Sequence, residues 1–473
     1  MNALESLRFF HCELWLLGGA FTLLFADFFL KNKKILGILG ILVLASAALA
    51  ANPPPKNYDL FFGLFQLDPI THFFRYAALG IVGVTIAASL AYKPLRHYEG
   101  EYYALFLFMT LGLILMAASR NLLMIFLSIE FVSIISYLLV GFLKKCERSK
   151  EAAIKYLLFG SVASGMMLFG MSLLFGASGS LELPTIQNQL VNPAYFPLGV
   201  VAFLLFLVGV GFKISMAPFH LWAPDVYEGA PTPVTAFLTV APKALGFAVM
   251  LRLFITVYPS LGGKWVAVIS ILSILTMTIG NITAIAQTNI KRLLAYSSIA
   301  QAGYILMGLA STSKTGIMAV LIYLVAYTFT NLGAFIVVIM VSNHCGNDKI
   351  ESYRGLARRA PMLAAALTLF LLSLAGIPPL AGFIGKFYVF AATIQAGLLT
   401  LAIAAAINSA VAAYYYFKIV RVMYLVPVPE DDSAPMPHSV PLLIVLYVML
   451  AATLVIGVIP APLLGWVKNL MLL

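Results

Sequence analysis

Four ionisable residues stand inside otherwise apolar segments. Lys213 lies in FLLFLVGVGFKISMAPFHLW, Lys243 in AFLTVAPKALGFAVML, Lys386 in LAGIPPLAGFIGKFYVF and Glu130 in LLMIFLSIEFVSIISYLL. A charge at bilayer depth costs at least about 2.5–3.5 kcal/mol, so several together point to a path for protons or ions. Burial disfavours the charged form of either group, and an opposite charge within about 4–6 Å restores it. Moving Glu130 toward and away from a lysine therefore loads and releases a proton. The bland alternatives are a snorkelling lysine and a neutral, hydrogen-bonded carboxyl. Snorkelling suits Lys418, Arg421, Arg252 and Arg75, which lie nearer segment ends. It does not suit the three central lysines, which have apolar sequence on both sides or sit at a helix break. Lys155, in KEAAIKYLLFG, is shallower and is assigned to the same path ahead of an interfacial anchor.

Other chemistry is poorly supported. His220, Asp225 and Glu228 follow one another closely, but prolines interrupt them and the spacing is not i, i+4, so they read as a cluster that ends a helix and holds a loop, not as a metal site. Cys12, Cys146 and Cys345 form no C-x-x-C pair, and no dinucleotide, phosphate-loop, haem or iron–sulfur pattern occurs. No cofactor is expected in this chain. Asp27 is left without a role.

The elements that hold these residues must be membrane helices. The 473 residues are 62% hydrophobic and 10% charged, too apolar for a water-soluble globule. The first apolar stretch carries Glu5 and Glu13 and lacks a basic leader and a cleavage site, so it is expected to remain as a span. Apolar runs long enough to cross a bilayer fall at 9–29, 35–51, 72–92, 101–118, 121–143, 151–176, 196–220, 231–257, 265–287, 292–311, 315–342, 361–395, 397–420 and 439–460. The expectation is an all-α integral membrane protein of about fourteen spans with no extramembrane domain.

The net charge of +11 reflects loops, not a nucleic-acid surface. One side holds Lys31, Lys33, Lys34, Lys93, Arg96, Lys144, Lys145, Arg148, Lys150, Lys291, Arg292, Lys349, Arg354, Arg358, Arg359, Lys418 and Arg421; the other holds Arg8, Lys56, Arg120, Lys264, Lys314 and Lys468. The first side is expected to be cytoplasmic and both termini outside. The seventh span runs into Pro218, Pro224, Pro231 and Pro233, and the twelfth contains Pro378 and Pro379. Proline removes a backbone donor, and irregular backbone at membrane depth must lie inside protein or along a wet cavity. Matched breaks suggest inverted repeats around a transport site. The expected division is 1–100 (spans one to three), 101–257 (first repeat, spans four to eight), 258–425 (second repeat, spans nine to thirteen) and 426–473 (last span).

The stretches EAAIKYLLFGSVASGMMLFGMSLLFGASGS, GFKISMAPFHLWAPDVYEGAPTPVTAFL, NIKRLLAYSSIAQAGYILMG and SLAGIPPLAGFIGKFYVF, taken in this order, resemble the antiporter-like membrane subunits of the proton-pumping NADH:quinone oxidoreductase, respiratory complex I. The resemblance covers about residues 100–420 and is nearest to the subunit N branch. It implies fourteen helices with two inverted five-helix repeats and a hydrated polar axis. The family's proton-transfer residues match Glu130, Lys155, Lys213, Lys243 and Lys386. A sister subunit carries glutamate at the last of these positions, and another ends in a long amphipathic helix; Lys386 and the short tail here favour subunit N. The resemblance further implies partners among the other membrane-arm subunits, residence in the bacterial inner membrane, and NADH, FMN, iron–sulfur clusters and quinone held by other subunits. The alternative is a subunit of a multisubunit cation/proton antiporter or of a membrane-bound hydrogenase-type complex, which resemble the same fold.

Overall fold

The computed structural model describes residues 1–51, 57–95, 99–257, 263–427 and 439–470. In these residues the apolar runs form α1 (Ala3–Leu7), α2 (His11–Phe29), α3 (Lys34–Ala50), α4 (Pro69–Ser89), α5 (Glu99–Ala118), α6 (Leu122–Val140), α7 (Glu147–Ser178), α8 (Leu183–Leu190), α9 (Phe196–Ile214), α10 (Ala223–Gly229) and α11 (Thr232–Thr256). They continue with α12 (Lys264–Ile285), α13 (Ile290–Ala310), α14 (Lys314–Cys345), α15 (Leu356–Arg359), α16 (Pro361–Ala375), α17 (Ala381–Gln395), α18 (Leu399–Leu425), α19 (Val440–Val458) and α20 (Ala461–Leu470). Twelve of these are long and apolar enough to cross a membrane, and the chain is a multi-pass helical membrane protein. The two remaining expected spans are the 17-residue α3 and the divided pair α16 and α17.

Helix starts are capped by short polar side chains that satisfy free N–H groups: Asp68 accepts from Thr71, Asn121 from Leu123, and Asn289 from Lys291 and Arg292. The two breaks share a left-handed cap. Ser215 ends α9 in the left-handed region, at φ 56°, and Gly376 ends α16 at φ 92°. A Cβ at Gly376 would lie 2.7 Å from the Lys386 side chain, so space and backbone both require glycine there.

The centre of the bundle is α11, α13 and the middle of α14, all almost wholly buried. α7 packs on α9, α12 on α13, and α14 on α16 and α17. By contrast α2, α7, α18 and α19 expose rows of Leu, Ile, Val and Phe, as a surface facing lipid or neighbouring apolar subunits should. At one end of the bundle Lys93 bonds Asn343 and Asn289 pairs with Lys349. At the opposite end the amino terminus donates to the Asp59 carbonyl, Arg120 pairs with Asp59, and Trp466 of α20 stacks on Phe73. Lys56 and Arg96, used above for orientation, lie outside the described residues, as does most of the 426–439 loop.

Three features depart from expectation. Tyr58–Leu60 and Phe65–Leu67 pair as a short antiparallel hairpin before α4; each strand is three residues long, too short to show a strand period in the sequence. Arg75 does not snorkel: its guanidinium meets Glu13 of α2 at 2.5 Å, with both side chains almost fully buried. Arg252 is likewise buried, bonding the Asp68 carboxylate at 2.9 and 3.1 Å, Thr71 at 2.6 Å and the Ala117 carbonyl. Carboxylates distant in sequence supply partners that a reading of each segment alone cannot see. Burial pushes the Asp68 carboxyl up, but Arg252 and Thr71 more than offset this and hold it below its ordinary value.

Arg252→Met leaves Asp68 as an uncompensated buried charge and is expected to cost about 3–5 kcal/mol, seen as a lower melting temperature of the membrane-embedded protein. Adding Asp68→Asn, which keeps an acceptor for Thr71, should recover much of the loss. Because the folded carboxyl lies below the unfolded one, the pair's stabilisation is present at neutral pH and is lost only as pH falls through the depressed value.

Candidate functional site

Lys213 occupies the last turn of α9, is 2% exposed, and its ammonium has no hydrogen-bond partner among the described residues. Several backbone groups at the break beside it find partners: the Gly211 carbonyl accepts from Met216, the Phe212 carbonyl from Ser215 and the Trp222 indole, and the Ala217 N–H donates to Thr276 of α12 at 3.0 Å. Glu130, on α6, accepts from the Ser164 hydroxyl of α7. It acts on Lys213 electrostatically but forms no ion pair with it. The expected acid–base pair is therefore brought near without being closed.

Lys243, also 2% exposed, follows Pro242 in α11; its ammonium donates to Ser298 at 2.8 Å and lies 5.7 Å from the Tyr227 ring centroid. Lys386, 6% exposed, donates to the Ala375 carbonyl at 2.8 Å and to Ser409 at 3.2 Å, and sits 4.4 Å from the centre of the Tyr304 ring. The Ala375 carbonyl is one of those the broken helix leaves without an intrahelical donor, so the break itself supplies an acceptor for the lysine.

Between Lys243 and Lys386 runs a set of polar groups that reading the charged residues alone passed over. The hydroxyls of Ser297 and Tyr416 are 2.5 Å apart. Gln301 donates to the Leu374 carbonyl at 3.0 Å and to Tyr416 at 3.4 Å, and accepts from Tyr323. Asn281 donates to Tyr304 at 3.0 Å and accepts from Tyr415 at 3.1 Å. Ser409 and the Tyr304 ring both face the Lys386 ammonium. A signal was present: Ser297, Ser298, Gln301 and Tyr304 recur at helical spacing along α13. Hydroxyls accept and donate at once, but Ser298 gives its own proton to the Ala295 carbonyl at 2.7 Å, so the bonds among the described residues do not run unbroken from Lys243 to Lys386.

Lys155 belongs to different surroundings. Its side chain is 40% exposed and pairs with Glu151 at 2.8 Å and Asp225 at 2.9 Å. Asp225 also meets Arg292 at 2.7 Å, and Arg292 meets Glu228 at 3.0 Å. Asp225 and Glu228 thus tie α10 to α7 and α13 and line a polar recess of about 240 Å³. His220 stands apart from that cluster, buried and within electrostatic range of Lys243. Among the described residues no His, Cys, Asp and Glu side chains gather in a metal-binding group. Partial burial pushes the Asp225 carboxyl up, and Lys155 and Arg292 together pull it below the ordinary carboxylate value.

With this geometry in view, the comparisons are specific. Residues 119–412 match the family described as NADH:quinone oxidoreductase/Mrp antiporter, TM. The NADH-quinone oxidoreductase subunit N of Dehalococcoides mccartyi is 42% identical over 480 residues, covering 97% of each chain. The chain belongs to the NADH-quinone oxidoreductase subunit N family. A chain of respiratory complex I from Thermus thermophilus superposes with a TM-score of 0.83 at 33% identity, covering 96% of this chain and 98% of that one. A chain of the Mrp complex from Dietzia sp. reaches 0.86 at 21% identity, covering 99% and 97%, which establishes a shared fold only.

Replacing Asp225 by Asn removes two ion pairs from the subunit N α10 helix. Partly exposed pairs are worth about 0.2–1 kcal/mol each, so amide exchange over Ala223–Gly229 should quicken by up to about thirtyfold, read by hydrogen-exchange mass spectrometry. In the unmodified protein the pairs persist through neutral pH and open only in acid below the ordinary carboxylate range, because the Asp225 carboxyl is held low.

Proposed function

We propose that this chain is a proton-translocating subunit of the membrane arm of NADH:quinone oxidoreductase. Protons pass along an axis of Glu130, Lys213, Lys243 and Lys386, with Lys155 and its ion cluster at the edge of the same path. NADH, FMN, iron–sulfur clusters and quinone act in other subunits, and their redox energy reaches this chain by shifting which charged contacts are closed. The carrying observation is that Lys243 and Lys386, deep inside a membrane helix bundle, are each bonded to a hydroxyl of an intervening Ser/Tyr/Asn/Gln set. A cation/proton antiporter would use the same fold; identity of 33% to a complex I chain against 21% to an Mrp chain favours the redox-driven reading.

The division into repeats belongs to this proposal: α5 to α11 as the first, α12 to α18 as the second, with the residues before and after them as flanking helices. Two 32-residue helices, α7 and α14, each precede a broken helix in the proposed halves, which supports the pairing. The orientation is proposed from loop charge: the end carrying Lys93, Lys349 and Arg354 is cytoplasmic, and both termini lie outside the cell membrane.

In sealed vesicles, Lys213→Ala and Glu130→Gln should leave the complex assembled but strongly lower proton pumping per NADH oxidised. Lys213→Arg should fail too, since a guanidinium holds its proton at accessible pH. Pumping at the unmodified level by both Lys213→Ala and Glu130→Gln would overturn the axis. Ser298→Ala, which strips Lys243 of its hydroxyl, should slow pumping about tenfold, the equivalent of roughly 1.4 kcal/mol, while Ser298→Thr should restore it.

Orientation has a built-in probe. Cys146 and Cys345 are half-buried at the basic end, so a membrane-impermeant thiol reagent should label them only when the cytoplasmic face is open to it. Labelling from the outer face would reverse the assignment.

A further inference from the structure

At the basic end, the final turns of α18 and the segment after α14 enclose a recess of about 480 Å³ that the proton axis does not use. Lys349, Arg354 and Lys418 contribute its positive charge, and Val422 and Val426 an apolar wall. Its walls are held by backbone bonds, from Ile350 to the Thr288 carbonyl at 2.8 Å and from Gly355 to the Val422 carbonyl at 3.3 Å.

Among the described residues positive charge is in excess there: the one lining carboxylate, Glu351, is taken by Arg354 at 3.2 Å. Lys418 spends one donor on the Ile285 carbonyl at 3.2 Å, offsetting the negative pole where α12 ends. Lys349 has no carboxylate partner among the described residues, so two lysines and the free face of a guanidinium remain for an anion. The neighbouring outer face of α18 presents Tyr414, Phe417 and Leu425, apolar side chains that need lipid or another apolar surface. The recess thus combines cations at its rim with a hydrocarbon wall, at the level where a transmembrane helix ends.

We propose that this recess binds an anionic phospholipid, its phosphate held by Lys349, Arg354 and Lys418 and the start of an acyl chain lying along Val422 and Val426. Basic pockets between helices at the membrane boundary favour such headgroups, and a free anion would have no use for the valine wall. The site is separate from the proton path, so its test does not depend on the pumping reading.

The test uses the intact complex, purified and exchanged into lipid-free detergent, with retained phospholipid counted by class. Lys349→Gln combined with Lys418→Gln should retain one anionic phospholipid fewer than the unmodified complex, with zwitterionic lipid unchanged. Val422→Trp, which fills the recess and leaves every charge in place, should lose the same molecule. The idea is overturned if both variants keep the full anionic complement, or if zwitterionic lipid is lost in equal measure. Displacement of the lipid by millimolar inorganic phosphate alone would reduce the recess to a plain anion site and also overturn it. So would a zero-length carbodiimide cross-link in the unmodified protein from Lys349 or Lys418 to Glu430, Asp431 or Asp432, because the chain's own acidic run would then be the occupant.

Discussion

A lysine ammonium kept within the hydrocarbon layer is the constraint from which most of this architecture follows. It needs acceptors that lipid does not offer, and a regular helix offers few because its carbonyls are already bonded. Breaking a helix frees carbonyls at membrane depth, and the protein puts lysines at those breaks: Lys386 reaches the Ala375 carbonyl across one, and Lys213 ends the helix before the other. The same breaks would be ruinous on a lipid-facing surface. They are tolerable because α11, α13 and α14 surround them and because donors such as Trp222 and Ala217 find acceptors within the bundle.

The three central lysines are not equally supplied. Lys386 has a carbonyl, a hydroxyl and an aromatic face, Lys243 a hydroxyl and a more distant ring, and Lys213 no hydrogen-bond partner among the described residues. An ammonium without an acceptor gains most from the approach of a carboxylate. Glu130, presently bonded to Ser164, is the group placed to make that approach. On the proposed axis, a shift of Glu130 from Ser164 toward Lys213 would therefore change the state of Lys213 more than a comparable shift would change that of Lys386, which already has its acceptors.

Much of this was legible in the sequence, and the reasons for the rest are specific. The central lysines, Glu130 and both proline breaks stand out because apolar surroundings make each one costly. The hydroxyls and amides of α13 do not stand out, since Ser, Tyr and Gln are cheap enough in a membrane helix to look incidental until the fold turns them toward one another. Arg75 and Arg252 look like snorkelling residues from sequence because their partners, Glu13 and Asp68, are 62 and 184 residues away, and only tertiary contact reveals them. Lys291 was read as a loop charge, yet it is buried and donates to the Ala230 carbonyl at 2.7 Å, just beyond α10.

That last contact bears on how the outer ion cluster and the inner lysines communicate. α10 is only seven residues long, and its two faces meet different chemistry. One carries Asp225 and Glu228 into the cluster with Lys155 and Arg292; the other places the Tyr227 ring beside Lys243. Trp222, at its start, stacks on Tyr156 of α7 at 4.3 Å and bonds the Phe212 carbonyl next to Lys213. On the proposed axis, a change of pairing at Asp225 would have a single contiguous route to the surroundings of Lys213 and Lys243, namely α10 itself, which holds Trp222 at one end and the Tyr227 ring on its inner face.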